Sequence, residues 1–161
     1  MAETITATDW DMETDLLVAG AGPGGMTAAL VAAIEGLDVV VCEKASQVGG
    51  TGATSAGTLW IPGNTQSRDA GFEDSPEEAA MYLDSLIGED RTSEHRRVYL
   101  RDGPGVIDYL AENTDVRFLA CGMHPDYRNN IAGAGMAGRA IIPENFDGRV
   151  LGRDFARVSP P

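Results

Sequence analysis

Lysine is almost absent from this chain: Lys44 stands alone among 12 basic residues, which face 25 acids and leave a formal net charge of −13. Nucleic acids and anionic membranes are held by basic faces, so neither is an expected partner. An acidic balance of this size is that of a solvated surface. Cysteine is nearly as scarce, and the two present, Cys42 and Cys121, cannot make a disulfide framework. Cys42 ends an apolar run and is expected to be a buried strand residue. Histidine is limited to His95 and His124, each without a cysteine or acid at ligand spacing, so no metal site is expected. No apolar run approaches the length of a membrane span, so no integral membrane segment is expected. The N-terminus carries Glu3, Asp9, Asp11, Glu13 and Asp15 and no base. It lacks the basic start of a secretory signal, and a cytoplasmic location is the expectation.

What is present is apolar patterning broken by glycine. The 161 residues, 43% of them hydrophobic, fit about one domain with a core of its own. Residues 1–13 are polar, acidic and aperiodic, and read as a mobile arm; the ordered domain is expected over 14–161. Leu16-Leu17-Val18-Ala19 and Val39-Val40-Val41-Cys42 have the form of short buried parallel strands. Between them Met26, Ala29, Leu30 and Ala33 recur at helical spacing, with Gly36 as the C-terminal cap. Residues 46–65 are rich in glycine and poor in charge, which suits a partly buried segment, with Thr58 to Ile61 extended. Ser75-Pro76-Glu77-Glu78 is a helix start, with a serine cap and proline in the first turn. Ala79, Tyr82, Leu83, Leu86 and Ile87 would form that helix's apolar face, and Gly88 its end. A further helix is expected over Ser93 to Arg101, an interruption at Gly103-Pro104-Gly105, and another helix through Val106 to Ala111. Val116 with Phe118, and Arg139 to Ile142, read as short strands. The charges of Asp126 with Arg128, and of Glu144 with Asp147, read as solvated loop charges.

The chemistry begins at Gly20-x-Gly22-x-x-Gly25, which follows a strand and opens a helix. In that setting the pattern is a dinucleotide-binding fingerprint. Gly20 allows the tight turn, Gly22 lets the backbone approach a pyrophosphate, and Gly25 lets the helix pack closely on the strand. Pro23 sits where a missing N–H costs no helix bond, and with Gly24 it completes the turn. The helix N-terminus offers free N–H groups to phosphate. Glu43 lies 18 residues after Gly25, at the end of the second strand, where a carboxylate can accept hydrogen bonds from ribose hydroxyls. It would repel a 2′-phosphate, which disfavours NADP.

That fingerprint does not separate NAD from FAD. The residues that follow do so by resemblance. Glu43-Lys44, Val48-Gly49-Gly50-Thr51, Ser55-Ala56-Gly57 and Leu59-Trp60-Ile61-Pro62 resemble the flavin-contacting stretch of the fumarate reductase and 3-ketosteroid dehydrogenase group of flavoproteins. The similarity continues through Ala70-Gly71 to Ser75, Tyr82 to Gly88, Gly105 to Leu110, and Pro125-Asp126-Tyr127. Gly138-Arg139, Phe146-Asp147-Gly148-Arg149 and Leu151-Gly152 extend it, so that it covers about residues 14 to 161. The resemblance implies an α/β fold, an incomplete Rossmann-like FAD-binding domain made of an N-terminal βαβ unit followed by helical and loop segments. It implies FAD held by Gly20, Gly22, Pro23, Gly24, Gly25, Glu43, Lys44, Gly49, Gly50, Thr51, Ser55, Ala56 and Gly57. Because no histidine lies between Gly50 and Gly57, the covalent histidyl link of succinate dehydrogenases is not expected and FAD should be non-covalent.

The same resemblance implies that Tyr127 supports removal of a substrate proton, a task that suits a phenol within reach of another proton carrier. The implied reaction dehydrogenates a ketone-activated C–C bond, with a hydrophobic ketone such as a 3-ketosteroid as substrate and a separate electron acceptor. Members of the group are much longer, with a middle substrate domain and further catalytic tyrosines. A doubly wound sheet with two or three strands leaves edges and apolar faces uncovered. The expectation is therefore an N-terminal part, inactive by itself. A non-catalytic FAD-binding fragment, or a fumarate-reductase-like flavoprotein of other substrate, stays open as an alternative.

Overall fold

The computed structural model describes residues 10–88 and 93–160. The first nine residues of the expected arm lie outside them; Trp10 to Glu13 are exposed and without regular structure. The chain is a mixed α/β protein that gathers into two compact units. One comprises the chain up to Ser55 together with Gly148 onward, the other Ala56–Asp147. Among the described residues no helix is long and apolar enough to cross a membrane.

The first unit is built on β1 (Leu16–Ala19), α1 (Pro23–Ile34) and β2 (Val39–Cys42). β1 and β2 pair in parallel, with Leu16 opposite Val39 and Ala19 opposite Cys42. Parallel neighbours require a crossover, and α1 is that crossover. Thr14 Oγ1 donates to the Asp38 carbonyl at 2.6 Å, and the Asp15 carboxylate accepts the Asp38 N–H at 2.9 Å, which sets the register where the strands enter. α1 ends as its sequence indicates: Gly36 follows it at φ 84°, with its N–H on the Ala33 carbonyl.

Three expectations are corrected here. The strands are not buried throughout: Val18 is buried, but Leu17 is 62% exposed. Cys42 is exposed, not a core residue. In a two-stranded sheet both strands are edges, and α1 packs against both of them, so side chains pointing away from it meet solvent. The buried face of α1 is Ala29 and Ala32, with Met26, Leu30 and Ala33 outward. This helix is apolar on every side, so spacing alone could not select the buried one; the small alanines are what let it lie close on the strands.

The end of the chain, which had no assigned structure, returns to this unit. A 3-10 segment, Gly148–Arg157, breaks at Gly152, where φ is 54°. Val158 then bridges to Val48: the Val48 N–H reaches the Arg157 carbonyl at 2.7 Å and the Ser159 N–H reaches the Val48 carbonyl at 2.9 Å. Gln47 Nε2 donates to the Ala156 and Val158 carbonyls.

The second unit contains β3 (Leu59–Trp60), α2 (Thr65–Asp69), α3 (Pro76–Ile87), α4 (Ser93–Asn113), β4 (Phe118–Ala120) and β5 (Ala140–Pro143). Its sheet is antiparallel in the order β3-β5-β4. Ile61, Ile107 and Ile141 form the centre of its core, with Phe118 packed against them. Asn64 is buried because all its polar atoms are used: Oδ1 caps α2 through the Ser67 N–H, and Nδ2 donates to the Ile61 and Gly138 carbonyls. α3 starts at Ser75, whose hydroxyl accepts the Glu78 N–H at 3.3 Å, and Gly88 at φ 80° follows its end. Ala79 and Tyr82 are its buried residues, while Leu86 and Ile87 stay exposed.

The expected break at Gly103-Pro104-Gly105 does not occur: α4 is one helix of 21 residues with Pro104 inside. A proline there removes one intrahelical bond and costs about 3 kcal/mol. The helix is nonetheless anchored in the core, where its Ile107 packs with Ile61 and Ile141. A Cβ on Gly103 would lie 3.5 Å from Ile61 Cγ2, and Pro104 Cγ lies 4.0 Å from where a Cβ on Gly63 would be.

Candidate functional site

In the first unit the structure brings the two glycine clusters together. Gly20 follows β1 at φ 102°, a conformation that side chains resist, and its N–H is tied to the Cys42 carbonyl at 2.7 Å. Gly22 is the N-cap of α1 and Pro23 its first residue. No side chain caps this helix and no acid lies in its first turn, so the backbone N–H groups of that end keep their capacity for an anion. A Cβ on Gly22 or Gly24 would meet nothing within 4 Å, whereas one on Gly25 would lie 1.9 Å from the Gly20 carbonyl oxygen. Gly25 is thus required by packing, and the open space lies at Gly22 and Gly24.

The second cluster lies across this turn. The Gly49 N–H donates to the Ala21 carbonyl at 2.8 Å. Gly50, at φ 55°, approaches so closely that its Cβ would be 3.2 Å from Gly22 Cα. Gly50–Thr54 then forms a 3-10 turn in which Thr51 is exposed and accepts the Thr54 hydroxyl. Ser55 closes it through its N–H to the Gly52 carbonyl and is exposed.

Glu43 sits at the end of β2 and is half-buried. Its Oε1 accepts the Ala45 N–H at 2.9 Å and its Oε2 accepts the Ala21 N–H at 2.8 Å. The Ala45 bond, followed by the Ala21 bond, holds its carboxyl below the ordinary glutamate value, against a small opposing effect of burial. The carboxylate is therefore charged and aimed, with acceptor capacity left on each oxygen. Lys44, beside it, is exposed. An uncapped helix end, a glycine cradle and an oriented acid are the donor and acceptor set that the adenosine diphosphate part of FAD requires, so these residues fit that cofactor.

Ala56 and Gly57 fall in the second unit. Ala56 is exposed, and Gly57, at φ 72°, is where a Cβ would meet the Pro143 ring at 2.9 Å. Tyr127 is in the same unit and is 94% exposed. It edges a cavity of about 290 Å³ lined by Thr58, Trp60, Tyr82, Leu83, Leu86 and His124 among others.

Behind Tyr127 stands a buried charge cluster that sequence reasoning missed. Asp126 is not a solvated loop charge: it is 6% exposed. Its Oδ1 accepts the Trp60 indole N–H at 2.6 Å; its Oδ2 accepts the Gly135 N–H at 2.8 Å and Arg139 Nη1 at 2.7 Å. Arg139, 1% exposed, also reaches Asp74 Oδ1 through Nε at 2.8 Å and the Gly133 carbonyl. Asp74 Oδ2 accepts the Gly63 N–H. Two buried carboxylates on one guanidinium would be costly without these added donors. Arg128 and the Glu144–Asp147 pair are exposed, as expected. The signal that could have found the cluster was present in the Pro-Asp-Tyr and Gly-Arg segments, but nothing local pairs residues 13 positions apart.

Comparison with known proteins agrees with this geometry. The model of the FAD binding domain family matches residues 15–161. The chain is similar to 4-oxocyclohex-2-ene-1-carboxylate 5-dehydrogenase of Sinomonas cyclohexanicum, with 42% identity over 91% of this chain and 24% of that protein. It is 39% identical to 3-oxosteroid 1-dehydrogenase of Mycobacterium tuberculosis, over 92% of this chain and 26% of that one. Its structure resembles that of 3-ketosteroid delta1-dehydrogenase from Sterolibacterium denitrificans, solved in complex with 1,4-androstadiene-3,17-dione. The TM-score is 0.82 at 36% identity, covering 91% of this chain and 26% of that one. The chain spans about a quarter of the length of the relatives it matches. With its glycine turn, its oriented acid and a family model that extends from Asp15 to the last residue, the chain belongs to the FAD-binding-domain family.

Proposed function

We propose that residues 14–161 are the N-terminal part of a Rossmann-like FAD-binding domain in a dehydrogenase acting on a ketone-activated C–C bond. The substrate class is a hydrophobic cyclic ketone such as a 3-ketosteroid. The observation that carries this reading is the uncapped N-terminus of α1 beside the oriented Glu43 carboxylate. Two of the relatives above, a 3-oxosteroid and an oxocyclohexene dehydrogenase by name, support the substrate class.

In this reading Gly20 makes the turn, Gly22, Pro23 and Gly24 leave room for the pyrophosphate at the helix end, Gly25 lets α1 lie close on β1 so that this end faces the phosphates, and Glu43 accepts hydrogen bonds from the ribose hydroxyls. In the first unit Gly49, its N–H held on the Ala21 carbonyl, sets Gly50 against Gly22, and Lys44, Gly50, Thr51 and Ser55 offer backbone N–H and hydroxyl groups to the cofactor; in the second unit Ala56 and Gly57 are the residues read as flavin contacts. FAD is bound non-covalently and, when bound, supplies the two-electron acceptor. Tyr127 supports removal of the proton α to the ketone, as a phenol whose Oη can hydrogen-bond to a neighbouring tyrosinate that takes the proton, or can pass a proton on. A separate electron acceptor reoxidises the enzyme.

The test is retention of FAD by the full-length enzyme that carries this chain. Glu43→Ala should release flavin during gel filtration of the FAD-loaded protein, seen as loss of the flavin absorbance that co-elutes with wild type. Flavin content equal to wild type would remove Glu43 from the ribose. In the same full-length enzyme Tyr127→Phe should slow 3-ketosteroid-dependent reduction of an artificial acceptor with FAD still bound; an unchanged rate would remove Tyr127 from the reaction.

A further inference from the structure

Tyr127 is an exposed side chain, which on its own would sample many orientations. Its backbone is held on both sides. On one side, the Asp126 N–H donates to the Gly135 carbonyl at 2.9 Å and the Asp126 carboxylate accepts from Trp60, Gly135 and Arg139. On the other, the Arg128 N–H donates to the hydroxyl of Tyr82, which is 5% exposed. Trp60 is itself fixed: Tyr99 Oη donates to its carbonyl, its ring lies 6.0 Å from that of Tyr82, and Arg139 stands 5.8 Å from it. The same Trp60 and Tyr82 line the cavity that Tyr127 edges. The cluster thus connects the cavity wall to the turn that carries the tyrosine.

We propose that Asp126 and Arg139 are positioning residues for Tyr127: the buried ion pair, anchored on Trp60 and Asp74, sets where the phenol stands relative to the cavity. The inference rests on the reading of Tyr127 as the residue that supports proton removal. The chemistry requires a carboxylate at position 126. Both oxygens act only as acceptors, Oδ1 from an indole N–H and Oδ2 from an amide and a guanidinium. An asparagine would turn one of those acceptors into a donor aimed at another donor. Arginine is required at 139 because a lysine ammonium cannot span Asp74 and Asp126 with the same planar fork.

The test is a double-mutant cycle in the FAD-loaded enzyme that carries this chain, assayed with a 3-ketosteroid and an artificial electron acceptor. Asp126→Asn should lower kcat between about tenfold and a hundredfold, the scale of a small misplacement of a reacting group. KM and bound FAD should stay within about twofold of wild type, which separates positioning from loss of fold. In a Tyr127→Phe background the same substitution should have almost no further effect on kcat. Nitrogen-15 labelling of tryptophan gives a second readout: the Trp60 indole resonance should shift in Asp126→Asn. Where Asp126→Asn fails to fold, Arg139→Lys, which keeps the charge and loses the planar fork between Asp74 and Asp126, enters the same cycle with the same expectation. Equal losses of kcat in both backgrounds, or an unshifted indole, overturn the inference while leaving Tyr127 in its role. Full activity of Tyr127→Phe alone overturns the role of Tyr127 and the inference with it.

Discussion

Gly25 separates what the glycine turn does for the fold from what it does for a ligand. Its backbone is not in the left-handed region, so an alanine there meets no dihedral strain; the obstacle is space. The new Cβ would stand 1.9 Å from the Gly20 carbonyl oxygen and 3.2 Å from Val18 Cγ1. The first distance is over 1 Å short of the closest approach real Cβ atoms make, and the opposing atom is backbone. α1 must therefore move away from β1. Overpacking of this kind costs about 3 kcal/mol at the upper end of its usual range. Better helix propensity returns up to about 1 kcal/mol. The net loss, about 2 kcal/mol, corresponds to a fall in Tm of roughly 4–8 °C for a chain of this size. Gly24→Ala is the matched control. It lies in the same turn with nothing within 4 Å of its Cβ, so it should melt no lower than wild type. Thermal unfolding followed by circular dichroism at 222 nm reads both. A Gly25→Ala protein that melts with or above wild type would refute the close packing of α1 on β1. Flavin titration adds the ligand half: Gly24→Ala should weaken FAD binding without loss of stability.

Three further outcomes follow from the same geometry. Glu43 has a depressed carboxyl pKa in the fold, so its stabilising contribution is complete above the ordinary glutamate value. It is lost as pH falls through the lower folded value; an NMR titration placing the Glu43 midpoint at or above the ordinary value would contradict the two backbone hydrogen bonds. Ser75→Ala removes the cap of α3 and should cost about 1 kcal/mol in urea unfolding, and no change would mean the 3.3 Å contact contributes nothing. Arg139→Met leaves the Asp74 and Asp126 carboxylates buried without their cation and should cost about 3–5 kcal/mol by the same measurement. A loss below about 1 kcal/mol would show that the ion pair is replaceable.

Where local chemistry decides the structure, the sequence was legible. The strand–turn–helix of Leu16 to Ile34, the Ser75 cap and the β5 segment near Arg139 each depend on residues within a few positions of one another. Pro104 misled for a related reason: its local cost is real, but the helix is held by packing of Ile107 with Ile61 and Ile141, far away in sequence. Cys42 misled because an apolar run indicates a strand without saying how many layers cover it.

The sequence by itself determined a dinucleotide-binding turn with an acid at the end of the next strand, because glycine spacing and a carboxylate at that distance have few other physical uses. The tertiary structure decided that Gly49 and Gly50 lie across Gly22, and that the segment from Gly148 returns to Val48. It also decided that Asp126 is buried on Trp60 and Arg139. Those pairings join residues tens of positions apart. Their partners are selected by complementary shape and charge once the chain is compact, and no local pattern encodes that choice.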